Sequence, residues 1–204
     1  MPVSRAYCVS KRVLDVVGAS AGLVLSGPLM LAVAAAIKLE SRGPVLFWHY
    51  RIGEGGVPFR FYKFRSMVVD AEAKRLALLE DNEAGGPVFK MKRDPRITRL
   101  GRFLRHLSID ELPQLWHVVT GRMSLVGPRP PLPEEVANYK PWQVERLTVR
   151  PGLTCIWQVS GRSDIPFDRW VELDIMYVRS RSLWLDLKLL ILTIPAVLTG
   201  RGAY

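Results

Sequence analysis

The sequence predicts a mixed α/β fold dominated by helices: a single domain with a small β-hairpin, held at a membrane by an N-terminal re-entrant helical hairpin. Three observations carry this. No charged residue occurs from Val16 to Ile37, and about 20 consecutive apolar residues suffice for a membrane helix. Residues 43–67 alternate apolar and aromatic side chains with basic ones on either side of Gly53, Gly55, Gly56 and Pro58, the pattern of two short strands and a turn. The remainder carries short helix-like stretches without the regular strand and helix alternation of a doubly wound sheet. At 204 residues the chain can bury a real core in one domain. Residues 1–40 form the membrane element and 41–204 the globular part, together one functional unit.

Charge narrows the partners. There are 29 Lys and Arg against 19 Asp and Glu, a formal net charge of +10, so phosphate-bearing partners are favoured over cationic ones. Nucleic acid, anionic lipid and nucleotide all remain open on charge alone. Cys8 and Cys155 lack the spacing of a disulfide framework or a zinc site, and fit a reducing compartment.

The uncharged segment is longer than the apolar region of a signal peptide, and no cleavage site followed by a separate mature start is evident. Ser26-Gly27-Pro28 interrupts it. Pro28 cannot donate to the carbonyl of Val24, so a break or kink is expected there. Arg5, Lys11 and Arg12 precede the segment, and Lys38, Arg42, Arg51, Arg60, Lys63 and Arg65 follow it. Basic residues favour the cytoplasmic side. A helix-break-helix that dips in and returns satisfies both flanks; a kinked span is the alternative, because proline is tolerated in membrane helices.

Beyond the hairpin, residues 70–79 have a helical mixture and Gly85-Gly86 marks a loop. Gly53 to Gly56 reads as a turn, since it lacks the context and lysine of a phosphate loop. Of Trp48, Tyr50, Phe59, Phe61 and Tyr62, most are expected in the core. A basic run follows with Lys90, Lys92, Arg93, Arg96, Arg99, Arg102 and Arg105. The last four recur every third residue and would drift round one side of a helix. That side is either a solvated face or an anion-binding surface.

The run leads to Ser108-Ile109-Asp110-Glu111. As a capping box, Ser108 would cap a helix and Glu111 would reach back, with Asp110 in a first turn whose amides lower its pKa. Pro113 argues against so early a helix start. The functional alternative is that Asp110 attacks phosphorus and forms an acyl-phosphate, while Glu111 helps Asp110 hold Mg²⁺. Such a site needs positive charge nearby. Arg105 and Arg129 can supply it, Arg129 being stiffened between Pro128 and Pro130.

The runs FYKFRSM, LRHLSIDELPQLWHVVTGRMSLVGPRP, RPGLTCIWQVSGR and SLWLDLKLLILTIPAVLTGRGA resemble the bacterial sugar transferase family, the monotopic phosphoglycosyl transferases. The resemblance runs from Lys11 to the C-terminus and implies a short form made of the catalytic domain alone. It implies transfer of a sugar-1-phosphate from a UDP-sugar to polyprenol phosphate, usually undecaprenyl phosphate, with Mg²⁺. The setting it implies is the cytoplasmic face of the bacterial inner membrane, among membrane lipids, at the first membrane step of polysaccharide or lipopolysaccharide synthesis. The family's nucleophile falls on Asp110, its dyad partner on Glu111, and its phosphate-gripping arginines on Arg105 and Arg129. Its hairpin break falls on Ser26 to Pro28, with Gly27 inserted in a usual Ser-Pro pair. His117 and Arg122 replace an Asn and an acidic residue. Lys63 in the YKFR motif and Asp186, in a region associated with nucleotide recognition, are further expected substrate contacts.

The tail fits the same expectation. Leu153 to Val159 reads as a strand or extended segment, Phe167 to Val178 as a helix, and Trp184 to Leu198 as an apolar stretch for the membrane interface or the core. A homo-oligomer is possible. Two other classes compete. A basic nucleic-acid-binding protein would explain the charge, but the uncharged segment speaks against it and no nucleic acid partner is expected. A non-catalytic membrane scaffold would leave the carboxylate pair among arginines without a purpose.

Overall fold

A computed structural model describes residues 4–75, 77–78, 91, 93–161, 165–200 and 202. The chain opens with α1 (Arg5–Glu40), capped by Ser4, whose hydroxyl accepts from Tyr7 N at 3.2 Å. Two separate helices were expected here, but the helix continues through Ser26-Gly27-Pro28. The ladder is nonetheless weakened at this point. Ser26 Oγ donates to Gly22 O at 2.7 Å, and Pro28 leaves Val24 O without its usual donor. One face of α1 packs on the body along most of its length, with Asp15, Ala19, Val33 and Ile37 buried. The opposite face is apolar and exposed at Val9, Val13, Val17, Val24, Leu25, Leu29 and Leu31.

The expected hairpin forms from β1 (Leu46–Ile52) and β2 (Pro58–Phe64), antiparallel from Leu46↔Phe64 to Ile52↔Pro58. Gly55 and Gly56 turn the chain with φ of 68° and 81°, values that glycine adopts without strain. Residues opposite one another share a face, so Phe47, His49 and Arg51 stand with Lys63, Phe61 and Phe59. Phe59 and Phe61 are core residues as expected, whereas Trp48 and Tyr50 are exposed. Arg65 just after β2 donates to Ser41 O and Arg42 O at 2.9 and 3.0 Å, which fixes the exit from α1.

Helix α2 (Ala71–Arg75) is the described part of the helix expected over 70–79. Within the rest of that stretch 76 and 79 are outside the described residues, as are 82–87, Lys90 and Lys92. Arg96 lies before α3 (Arg99–His106) and pairs with Asp94 at 2.6 Å. The basic run therefore divides: Arg96 is buried, Arg99 and Arg102 are exposed, and Arg105 turns inward. A 3-10 helix (Ile109–Gln114) runs into α4 (Leu115–Val119).

Strands β3 (Ser124–Val126) and β4 (Gly152–Thr154) pair in parallel. Here the backbones nearly touch: a Cβ on Gly152 would lie 2.0 Å from Gly127 N. Between them are α5 (Pro133–Ala137) and a 3-10 helix (Pro141–Thr148). The extended segment expected over 153–159 ends at Thr154, and α6 (Ile156–Ser160) follows. The chain ends in α7 (Phe167–Ser180) and α8 (Leu183–Thr199). One core gathers Ala19, Phe59, Phe61, Leu115, Val118, Met123 and Tyr177; another joins Val33 and Ile37 to Phe64 and Leu104. Both draw on α1.

Candidate active site

Asp110 and Glu111 stand in the first turn of the 3-10 helix, and Ser108 sets its direction. Ser108 has φ 54° and ψ 22°, the left-handed region, and its side chain makes no capping bond. The capping box is thus not formed. A non-glycine residue in this conformation stores strain, and Pro113 is accommodated because the short 3-10 turn does not need its missing N–H.

Four cations converge on the pair. Arg129 Nη2 meets Glu111 Oε1 at 2.9 Å. Its backbone is tied down on both sides: before it Gly152 N donates to Pro128 O at 2.8 Å, and after it Ile52 N donates to Pro131 O at 2.9 Å. Arg146 Nη2 donates to Arg129 O at 3.1 Å while Arg146 also pairs with buried Asp174. Arg105 comes from the last turn of α3, its Nε donating to Ser66 Oγ at 2.9 Å. That contact needs Gly101, because a Cβ there would lie 1.9 Å from Ser66 O. Lys63 comes from β2. Arg51, on the same hairpin face, donates from Nε to His49 Nε2 at 2.7 Å and from Nη1 to Pro130 O at 2.9 Å.

These charges act on one another. Burial pushes the Asp110 carboxyl up, and the Glu111 charge adds to that; Lys63, Arg105 and Arg129 oppose it. The lowering expected from a helix start is outweighed by desolvation. Burial, with Arg105 next, brings Lys63 down to about 8, and burial, with Arg129 next, brings Arg51 down to about 10. Burial works against the Arg129 charge as well, but Glu111 holds that guanidinium above its ordinary value. His49 is lowered to about 2 by burial and then by Arg51, Lys63 and Arg129, so it is a neutral acceptor. Crowded cations that depress each other's protonation mark a site short of negative charge.

Asp110 is only 6 % exposed, yet among the described residues no donor lies within hydrogen-bond distance of its carboxylate. A buried carboxylate with no donor among the described residues, near Lys63, Arg105 and an Arg129 already paired with Glu111, is poised for an incoming group.

Of the residues expected from sequence, Asp110, Glu111, Arg105, Arg129 and Lys63 meet here. Asp186 does not. It is 0 % exposed, and its carboxylate accepts from Tyr7 at 3.2 Å, Lys11 at 3.0 Å and Tyr177 at 2.7 Å. It ties α1, α7 and α8 together. His117, buried against Phe59, Phe61 and Tyr62, accepts from Tyr62 N at 3.2 Å and supports the hairpin. Arg51 and the positioning pair Arg146–Asp174 were missed. The two-residue period of the hairpin, applied backward from Lys63, was the available signal for Arg51; nothing local signals Arg146.

Comparison with known proteins bears on this constellation. A family model for the bacterial sugar transferases matches residues 6–200. The chain belongs to the bacterial sugar transferase family. It is 46% identical over 198 residues to the galactosyl transferase CpsE of Streptococcus agalactiae, covering 97% of this chain and 44% of that protein. It is 41% identical over 200 residues to the exopolysaccharide production protein ExoY of Rhizobium meliloti, covering 96% and 88%. It is also 41% identical over 202 residues to the undecaprenyl-phosphate galactose phosphotransferase of Salmonella typhimurium, covering 95% and 41%. The chain thus spans less than half of two of these family members and most of the third.

Proposed function

We propose that this member of the family moves a sugar-1-phosphate from a UDP-sugar to polyprenol phosphate, in particular undecaprenyl phosphate, through a covalent intermediate on Asp110. The observation that carries the reading is the buried carboxylate of Asp110, without a donor among the described residues, beside Glu111 and four cations. The name of the Salmonella relative, an undecaprenyl-phosphate galactose phosphotransferase, supports the acceptor and the kind of group moved.

In the first step an Asp110 oxygen forms a bond to the β-phosphorus of the donor, and the bond from that phosphorus to the bridging oxygen breaks, releasing UMP. In the second, an oxygen of polyprenol phosphate attacks the same phosphorus. The Asp110–phosphorus bond breaks, the carboxylate is restored, and the product is a polyprenyl diphospho-sugar. Lys63, Arg105 and Arg129 bind the diphosphate and neutralise charge as it builds. Arg51 lends positive charge from the hairpin, and Glu111 orients Arg129. Desolvation keeps the Asp110 carboxylate basic, which favours nucleophilic attack once the donor is seated.

Among the described residues no cluster of three or more His, Cys, Asp or Glu side chains gathers for a metal. Asp110 and Glu111 fit a Mg²⁺ that takes its other ligands from donor phosphates and water, as this cation commonly does. When bound there it would offset the charge of the diphosphate.

The membrane arrangement belongs to the same proposal. Helix α1 is about 54 Å long at 1.5 Å per residue, and it is apolar enough to cross a membrane. Both of its ends are nevertheless fastened to one body: Lys11 to Asp186 at 3.0 Å, and Glu40 to Leu100 N at 2.9 Å. A straight span would carry one end away from that body. We therefore read α1 as monotopic, bending at Ser26 to Pro28 and returning to the cytoplasmic face of the inner membrane. With Cys8→Ser as background, a Ser4→Cys thiol should label only after cells are permeabilised; labelling in intact cells overturns this topology.

A UMP-release assay with undecaprenyl phosphate and a panel of UDP-sugars tests the chemistry. The wild type should release UMP and form an adduct with at least one donor, and Asp110→Asn should do neither. A variant that releases UMP at near the wild-type rate refutes Asp110 as the nucleophile.

A further inference from the structure

We propose that the cavity beside the first turns of α1 is a headgroup site for an anionic phospholipid of the bilayer, distinct from the path of the acceptor to Asp110. The inference rests on the membrane reading of α1. The cavity has a volume of about 500 Å³, with Lys11, Arg12, Arg150 and Arg181 in its wall beside Val9 and Val13.

The charges in this wall are unevenly matched. Lys11 pairs with Asp186 at 3.0 Å, and Arg150 with Glu54 at 3.3 Å. Arg12 and Arg181 have no carboxylate partner among the described residues. Arg12 donates to Val118 O and Val119 O, each at 2.7 Å, and Arg181 donates to Val178 O. A carbonyl accepts a hydrogen bond without neutralising a charge. Asp15, also in the wall, is already occupied by Ser124 Oγ and Leu125 N, each at 2.9 Å. Two guanidiniums thus remain without counter-charge, and guanidinium geometry suits phosphate oxygens.

The apolar side of the wall identifies the rest of the ligand. Val9 and Val13 are 64% and 57% exposed and begin the apolar face that runs on through Val17, Val24, Leu25 and Leu31. A headgroup phosphate in the cavity would leave its acyl chain lying along that face. Trp184, 77% exposed in the first turn of α8, stands three residues after Arg181 and has the chemistry of a membrane-interface residue. A choline headgroup would bring a cation against Arg12 and Arg181, so an anionic lipid is favoured. The acceptor is a poorer occupant, because none of Lys63, Arg105, Asp110, Glu111 or Arg129 lines the cavity.

The molecule carries its own probe. Cys8 is exposed and lines the cavity, whereas Cys155 is buried and its thiol is pushed well up by that burial. N-ethylmaleimide should therefore report on Cys8 in the full chain reconstituted in nanodiscs. Phosphatidylglycerol added to phosphatidylcholine should slow alkylation about fivefold, the worth of roughly one basic residue at an anionic surface. The Arg181→Gln variant, which removes a guanidinium without a carboxylate partner among the described residues, should abolish the difference at an unchanged melting temperature. Native mass measurement should find one phosphatidylglycerol retained per chain and none in Val13→Trp, which adds bulk to the cavity wall and leaves its basic residues unchanged. Equal alkylation in the two lipids, or retention unaffected by Val13→Trp, overturns the site. Equal protection by stoichiometric polyprenol phosphate in phosphatidylcholine discs overturns it in favour of the acceptor. Vesicle flotation separates the two levels of failure: a wild type that does not float refutes the membrane reading itself, and one that floats without lipid preference refutes only this site.

Discussion

Asp110 and Asp186 are both buried aspartates in the first turn of a helix, and they are treated in opposite ways. Asp186 collects three donors from distant parts of the chain, Tyr7, Lys11 and Tyr177. Asp110 collects none among the described residues, although Lys63, Arg105 and Arg129 surround it with positive charge. A carboxylate that serves the fold has its hydrogen bonds completed internally, because burying it otherwise is costly. One left incomplete among cations is a destabilising element that the rest of the molecule supports. Asp174 lies between these cases: its pairing with Arg146 is internal, but Arg146 also fixes the carbonyl of Arg129.

The sharpest break between the two aspartates is in turnover. Asp110→Asn should lower UMP release by about a thousandfold or more and leave the melting temperature equal or higher, as removal of an unsatisfied active-site charge commonly does. A melting temperature that fell with it would undo the contrast. Asp186→Ala should do the reverse, costing about 3–5 kcal/mol in denaturant unfolding because Lys11 loses a buried partner, with activity per folded molecule retained. Arg146→Lys keeps a charge for Asp174 but not the geometry that reaches Arg129 O. It should raise the donor KM severalfold with little change in kcat, a split that a purely structural role would not produce.

Lys63 supplies a pH test. Its folded value of about 8 lies below the ordinary 10.5, so between these values the unfolded chain binds more protons and folding stability rises with pH. Donor binding should move the other way, with KM increasing above about pH 8, and Lys63→Arg should carry that limb to higher pH. The smallest effect is expected at Ser108. Glycine there relieves a left-handed strain of about 1–2 kcal/mol and adds chain entropy worth about half of that, so the backbone change alone should shift thermal unfolding by no more than about 1 kcal/mol.

Much of this was legible locally. The hairpin follows from alternation about Gly53 to Pro58, and the site follows from a carboxylate pair between Arg105 and Arg129. What was not legible depends on pairings across the chain. Asp186 reads from the family resemblance as a substrate contact, and its bonds to Tyr7 and Lys11, far away in sequence, emerge only in the fold. Arg51 and Arg65 read as a basic flank, yet one turns into the site and the other caps the exit of α1. Ser108 fitted a capping pattern that Pro113 already opposed, and Asp110 needed the extent of its burial before the direction of its pKa could be known.

One consequence of the way α1 packs concerns attempts to make this protein water-soluble. Removing residues 1–40 would take Ala19 out of one core and Val33 and Ile37 out of another. It would also take Tyr7 and Lys11 from the carboxylate of Asp186, leaving it Tyr177, and leave Val118 O and Val119 O without Arg12. The fragment that remained would be a damaged protein, so greasy surface is better treated by substitution on the outward face of α1, at Val24, Leu25 and Leu31, than by truncation.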